Sequence, residues 1–151
     1  MPWNEIEEGQ ATAEKIPAGT HTLRVVKVLR GKKDGTIFTS KSGDPQIMVV
    51  YADQEARECA EMLTLSRKAA WKLKNLLIAV GADLDKMDKA GKDWTDFEDE
   101  DFASVQLCDR PFRGEVTYKK GTGDHADKEF ASVNPLREPA EAMPAADDVP
   151  F

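Results

Sequence analysis

Basic residues are interleaved with aromatic residues over residues 24–41 and 113–120 of this sequence, and Tyr51 adds a ring between these two stretches. Cations can follow the phosphates of a nucleic acid, while ring faces can stack on its bases. The combination predicts a surface for single strands. In chain order, the candidate contact residues are Arg24, Lys27, Arg30, Lys32, Lys33, Phe38, Lys41, Tyr51, Arg113, Tyr118, Lys119 and Lys120.

The aromatic residues differ in their expected surroundings. Phe38 follows Gly35 in a lysine-rich turn, so we expect its ring to be exposed. Tyr51 lies in an apolar segment and fits a stacking surface and the core equally well. Three other aromatic residues are predicted to belong to the core, namely Trp71, Phe112 and Phe130.

A second candidate site is the tip of the chain, which reads Asp147, Asp148, Val149, Pro150 and Phe151. A terminal aromatic ring can fill an apolar pocket, while the carboxylate binds a basic clamp and the aspartates add an electrostatic rim. The tip therefore predicts capture by partner proteins. The alternative is a solubilising tail that ends in phenylalanine by chance.

No group of residues has the spacing of a catalytic or metal site. The acidic run over residues 96–101 is contiguous, whereas catalytic metal centres need carboxylates that converge from separate elements. The two histidines and two cysteines lack zinc spacing, Ser66 has no evident histidine partner, and glycine-rich phosphate motifs are missing. We expect no catalytic residue, no metal and no cofactor, so the protein is predicted not to be an enzyme.

The charge is distributed unevenly along the chain, although its formal total is −7. Residues 17–52 carry six basic and two acidic residues, and residues 67–82 carry four basic and no acidic ones. Residues 83–108 carry three basic against nine acidic residues. The basic segments are compatible with an anionic ligand. No apolar run of about 18 residues predicts a membrane span, and two cysteines fit a reducing cytoplasm.

The periodicity of apolar residues predicts five strands and one helix. The strands cover residues 20–30, 46–52, 58–65, 112–119 and 130–134, and the first changes phase at Val25 and Val26, which indicates a bulge. The helix covers residues 67–80, is capped by Ser66 and ends at Gly81. A bent first strand and a helix between strands three and four predict a mainly β, five-stranded OB-fold barrel. An α+β sandwich is the alternative.

Two parts of the sequence resemble known proteins. The tip, Asp147 to Phe151, resembles the acidic tip of bacterial single-stranded DNA-binding proteins, which recruits replication, recombination and repair proteins. Residues 16–136 resemble small phage-encoded OB-fold single-stranded DNA-binding proteins, through Pro17-Ala18-Gly19, Thr39-Ser40-Lys41-Ser42-Gly43 and the basic helix. The body does not resemble the bacterial core, so the bacterial tetramer is not implied, and a monomer and a dimer both stay open.

These observations predict three regions, an N-terminal arm (1–15), an OB-fold domain (16–136) and a disordered acidic tail (137–151). The resemblance implies a protein of an infected bacterial cytoplasm. It would coat and protect single-stranded DNA in phage replication, recombination and repair, and recruit partners through its tip. The alternatives are an interaction adaptor that mimics the host tail and a small nuclease accessory protein.

Overall fold

The computed structural model describes residues 15–120 and 129–136. Five strands form one antiparallel sheet, so the protein is mainly β, as predicted. The strands are β1 (Gly19–Leu29), β2 (Gln46–Asp53), β3 (Glu58–Thr64), β4 (Phe112–Lys120) and β5 (Glu129–Pro135). Between β3 and β4 lie α1 (Ala70–Ala79), α2 (Leu84–Lys89), a 3-10 helix (Trp94–Glu98) and α3 (Glu100–Leu107).

The prediction of a single helix is wrong, because the acidic segment after α1 also folds into helical turns. Asp83, Asp93 and Asp99 each accept a hydrogen bond from a backbone N–H two or three residues later. A side-chain acceptor at this position satisfies a backbone donor that a helix leaves unpaired. Phe97, fully buried, anchors the same segment to the core. Aspartates of this acidic segment therefore cap its helical turns.

The sheet has the strand order β3-β2-β1-β4-β5, which leaves β3 and β5 as its two edges. No backbone ladder joins these edges in the described part of the chain, so the sheet is open. Side chains span the gap instead. The Glu61 carboxylate of β3 accepts a hydrogen bond from the Val133 backbone N–H of β5 at 3.0 Å, and helix α1 packs against both strands.

Strand β1 contains the bulge that its sequence predicts. The pairing register between β1 and β2 shifts between Val25 and Lys27, with Val26 as the extra residue. An inserted residue reverses the alternation of side chains beyond it. Val28 therefore lies in the core with Leu23 and Val25, and not on the side opposite to them.

Helix α1 carries the apolar stripe that the spacing of its residues predicts. Leu73, Leu76 and Leu77 are buried in the core. The helix begins at Ala70, three residues later than predicted. The Ser66 hydroxyl oxygen accepts a hydrogen bond from the Ala69 N–H in the turn before the helix, so Ser66 stabilises the entry to α1 and is not its N-cap residue.

The segment that enters β1 lies at the edge of β3. Lys15 forms an isolated bridge with Glu58, and the Ile16 N–H donates to the Glu58 carbonyl at 3.2 Å. Ile16 is fully buried. Residues 1–14 of the predicted arm and the predicted tail, 137–151, lie outside the described residues. Within the described ranges, no helix has the length and apolar character needed to cross a bilayer.

Candidate nucleic-acid interface

Arg30, at the end of β1, holds the following loop in place. Its guanidinium donates to the carbonyls of Phe38 at 2.6 Å and Gln46 at 3.2 Å, and it pairs with Glu98 at 3.2 Å. The backbone N–H of Arg30 donates to the Glu100 carboxylate at 2.5 Å. Only 13% of the Arg30 side chain is exposed. Its burial and the three internal acceptors of its guanidinium argue against the predicted contact with DNA.

The two other predicted arginines are also engaged with the fold. Arg24 pairs with Asp109 at 3.2 Å on the outward side of β1. Arg113 of β4 is half-buried and donates to the Thr22 hydroxyl at 3.1 Å. The Arg24 pair is accessible to water, where such ion pairs contribute little stability. An incoming phosphate could replace Asp109 as the partner of Arg24 at a small cost.

Tyr51 is a core residue, so its prediction as a stacking surface is wrong. It is 1% exposed, and its ring packs edge-on against Phe112 at 6.0 Å between centroids. The Tyr51 hydroxyl donates to the Glu61 carboxylate at 3.0 Å. Burial, followed by the charge of Glu61 and this hydrogen bond, raises the pKa of Tyr51 well above its ordinary value. The predicted core position of Phe112 is confirmed.

Tyr118 of β4 is half-buried and supports the N-terminal segment. Its hydroxyl donates to the Ile16 carbonyl, and the Lys15 ammonium lies 4.0 Å from the centroid of its ring. A cation over an aromatic face is an attractive arrangement. One face of the Tyr118 ring is therefore covered by this chain, which argues against base stacking on that face.

The loop between β1 and β2 forms a short finger that presents lysines. Two isolated antiparallel bridges close its two successive turns, Gly31 with Ile37 in the first and Thr39 with Pro45 in the second. Gly31 is required there, since an added Cβ would lie 2.5 Å from the Thr36 carbonyl oxygen. The predicted contact residues Lys32, Lys33 and Lys41 are exposed on this finger.

Phe38 lies on the same finger and is half-buried, less accessible than predicted. Its carbonyl accepts hydrogen bonds from Arg30 and from the Gln46 backbone, which hold this residue at the base of the finger. The Asp34 carboxylate accepts a hydrogen bond from the Thr36 N–H. This bond, more than the nearby Lys32 ammonium, lowers the pKa of Asp34.

Three further predicted lysines point into solvent. Lys27 lies on the outward side of β1 opposite Val50, while Lys119 and Lys120 are the last two residues of β4. Over residues 15–120 and 129–136, no ion pair within 4 Å involves these three or the finger lysines. Within the described residues, the predicted arginines therefore bind other groups of the fold, whereas the predicted lysines are exposed and form no ion pair.

The expectation that Phe130 and Trp71 are core residues is wrong. Phe130 is 49% exposed and lies beside Lys119 across the β4–β5 pair, while Trp71 is 58% exposed on α1. Phe130 alternates along β5 with Ala131 and Val133, which face the core, so the period of the strand already indicated that the Phe130 side chain points outward. For Trp71 the signal was its position off the leucine stripe of α1. These two rings are the most exposed aromatic residues of the described chain.

Two further features of the described residues concern metal binding and thiol chemistry. Among them, no three histidine, cysteine, aspartate or glutamate side chains form a group that could hold a metal ion. Burial, followed by the charges of Glu61 and Asp53, raises the pKa of the Cys59 thiol to about 12. That thiol is therefore a poor nucleophile.

Comparison with known proteins adds no family assignment. Neither the scan against protein-family models nor the search of the curated proteins finds a match for this chain.

Proposed function

We propose that this protein binds single-stranded DNA and adopts an OB-fold barrel. In the proposed role it coats and protects exposed strands during phage replication, recombination and repair. Its tip, Asp147 to Phe151, would recruit partner proteins. The tip lies outside the described residues, so this second half of the proposal rests on the sequence resemblance.

Three features of the sheet support the OB-fold proposal. β1 pairs with both β2 and β4, and its bulge gives the strand a local bend. Helix α1 follows β3 and packs on both edge strands, where a barrel would close. In an OB-fold, the face of strands two and three, together with the loops after strands one and four, binds oligonucleotides. The loop after β1 carries the exposed Lys32, Lys33 and Lys41, and Lys119 and Lys120 are the last residues of β4, before the loop that follows it.

The observation that carries the proposal is that the predicted arginines are bound within the fold, while the predicted lysines are exposed and form no ion pair with another described residue. A lysine that is held in an internal ion pair gains little binding free energy from a phosphate. When an exposed lysine binds a phosphate, counterions are released from the DNA, and this release favours binding. Six such lysines border the proposed surface, namely Lys27, Lys32, Lys33, Lys41, Lys119 and Lys120. The rings placed beside them are Phe38 and Phe130, since Tyr51 is buried.

The test is fluorescence anisotropy with a labelled single strand and with a duplex of equal length over a series of salt concentrations. Each phosphate that the protein neutralises contributes about 0.7 to the slope of log affinity against log salt for single strands. Replacing Lys32, Lys33 and Lys41 together by alanine should reduce the slope by up to about 2. Lys86→Ala with Lys89→Ala on the acidic α2 is the matched control, which should leave the slope unchanged.

Aromatic contacts are tested separately with Phe38→Ala and Phe130→Ala. Stacking is worth about 1–3 kcal/mol per base, so each variant should bind more weakly with little change in melting temperature. Equal affinity for duplex and single strand in the wild type would refute the proposed function. Cleavage that requires added magnesium would favour the nuclease accessory, and partner binding without DNA binding would favour the adaptor.

A further inference from the structure

Helix α1 exposes a tryptophan beside a surface that the proposed function does not use. Trp71 is the most exposed aromatic side chain of the described residues. It lines two clefts, one of about 500 Å³ toward α2 and one of about 140 Å³ toward β5. A ring that is exposed and lines two clefts offers an apolar surface on which a ligand can pack.

The charge around Trp71 favours an anionic ligand. Residues 67–82 contain four cations and no acidic residue. Arg67, Lys68 and Lys74 are exposed, and Arg67 and Lys74 lie one turn before and three residues after Trp71. Lys72 is one-third exposed and shares its ammonium between Glu61 and the Ser132 hydroxyl. Cations next to an exposed ring are the mixture that binds single strands.

The two clefts differ in chemistry, which indicates the side on which such a ligand lies. Asp85, Asp88 and Asp93 outnumber Lys74 and Lys92 in the lining of the larger cleft, so its net charge repels phosphates. In the smaller cleft, Glu61 and Lys72 pair with each other, and the polar side chains next to Trp71 include Asn75 and Asn134. Each amide offers both hydrogen-bond donors and an acceptor, as the edge of a nucleobase requires. The β5 side of Trp71 is therefore the favourable one.

Strand β5 connects this cleft to the proposed DNA surface. Phe130, Ser132 and Asn134 alternate with the core-facing Ala131 and Val133, so they share the outward side of the strand. Four residues of strand span about 13 Å. The outward side of β5 therefore leads from the ring of Phe130, past the Ser132 hydroxyl that Lys72 contacts, to the cleft of Trp71.

We infer that the surface formed by Trp71, Asn75, Asn134, Arg67 and Lys68 is a second contact site for single-stranded DNA. A base stacks on Trp71, its edge meets the two asparagines, and the two cations bind the adjacent phosphates. The site lengthens the strand that one molecule binds. This inference rests on the proposed function, because the strand reaches α1 from the β4–β5 end of the sheet.

The experiment compares a short oligothymidylate of about 8 nucleotides with one of about 30, within and beyond the usual footprint of one OB-fold. Trp71→Ala should weaken binding of the long strand by about 5- to 100-fold, and binding of the short strand by less than 2-fold. Trp71→Phe, which keeps a ring, should restore most of the loss. All variants should melt near the wild-type temperature, because Trp71 is exposed.

Intrinsic fluorescence identifies the ring that is contacted. Addition of the long strand should quench wild-type emission, and Trp71→Phe should abolish most of this quenching while Trp94→Phe retains it. If the long strand binds and quenches the Trp71→Phe variant as it does the wild type, the inference is overturned while the proposed function stands. If no strand binds the wild type, the proposed function fails first.

A peptide with the sequence of residues 147–151 tests the competing occupant. Its acidic residues and terminal ring also suit a basic surface beside a tryptophan. Quenching of Trp71 by this peptide, with no quenching by the long strand, would assign the surface to the tail and overturn the inference. Peptide binding that leaves the Trp71 emission unchanged supports the assignment to DNA.

Discussion

Removal of the Glu61 side chain should destabilise the protein by several kcal/mol. The buried Glu61 carboxylate accepts hydrogen bonds from the Tyr51 hydroxyl, the Val133 N–H and the Lys72 ammonium at 3.0, 3.0 and 3.2 Å. It thereby links β2, α1 and both edges of the sheet. In Glu61→Ala, the two buried donors lose their acceptor at a cost of about 1–3 kcal/mol each. Lys72 can turn to water, so we expect about 2–6 kcal/mol in total.

Urea denaturation monitored by circular dichroism measures this loss as a change in the free energy of unfolding. Glu58→Ala is the matched control, since Glu58 lies on the same strand with an exposed side chain, and its cost should stay below about 0.5 kcal/mol. Glu61→Gln keeps one acceptor oxygen, so its free energy of unfolding should lie between those of the wild type and Glu61→Ala. The glutamine protein provides a folded variant if the alanine protein is too unstable.

A double-mutant cycle with Tyr51→Phe isolates the hydrogen bond itself. In the wild type, loss of a hydroxyl that donates to a charged acceptor should cost about 1.5–3 kcal/mol. In the Glu61→Ala background the hydroxyl has no acceptor, so its removal should be nearly neutral. A cost of Glu61→Ala below about 1 kcal/mol would refute the assignment of Glu61 as the link between the sheet edges, and strictly additive effects of the two substitutions would refute its hydrogen bond with Tyr51.

Other predictions concern charge, thiols and the tail. Burial opposes ionisation of Asp53, but hydrogen bonds from Arg57 and the Glu55 N–H outweigh it and lower its pKa; its stabilisation should be full at pH 7 and decrease as the pH falls below about 4, and melts of wild type and Asp53→Asn should converge once the pH is below the lowered pKa. Because the pKa of Cys59 is about 12, a Cys108→Ser variant should react with a thiol reagent at pH 8 far more slowly when folded than in urea; equal rates would contradict the burial. Deletion of residues 147–151 should leave the melting temperature unchanged, abolish capture by proteins that bind bacterial tails, and raise affinity for single strands at low salt; unchanged capture would show that the resemblance of the tip is accidental.

Local pattern was sufficient to predict most of the regular structure. The five strands and α1 follow from side-chain periods of two and about 3.6 residues, which are properties of the backbone. The bulge at Val26 was predictable for the same reason, since one extra residue reverses the alternation. The helices over residues 84–98 were missed, and residues 101–107 fitted either a short helix or an extended piece, because these short turns depend on aspartate caps and on Phe97 reaching the core.

Local pattern failed where the surroundings of a side chain depend on distant elements. The core-facing glutamate of β3 occupies a position at which an apolar residue is expected, and nothing near Glu61 in the sequence indicates the partners that satisfy it. Tyr51 was assigned ambiguously for the same reason, since its acceptor belongs to another strand. Trp71 and Phe130 were assigned to the core by residue type, although their positions in the periodic pattern point outward.

The sequence by itself determined the strand and helix periods, the basic segments and the acidic tip of this protein. Only the tertiary structure separated the predicted cations into two groups, with Arg30 bound to internal carbonyls and Glu98, and Lys32 and Lys33 exposed. The physical reason is that pairing and burial arise between residues far apart in the chain, as between Glu61 and Val133, 72 positions away. Periodicity indicates the direction of a side chain relative to its own backbone, whereas the tertiary fold determines which groups contact that side chain.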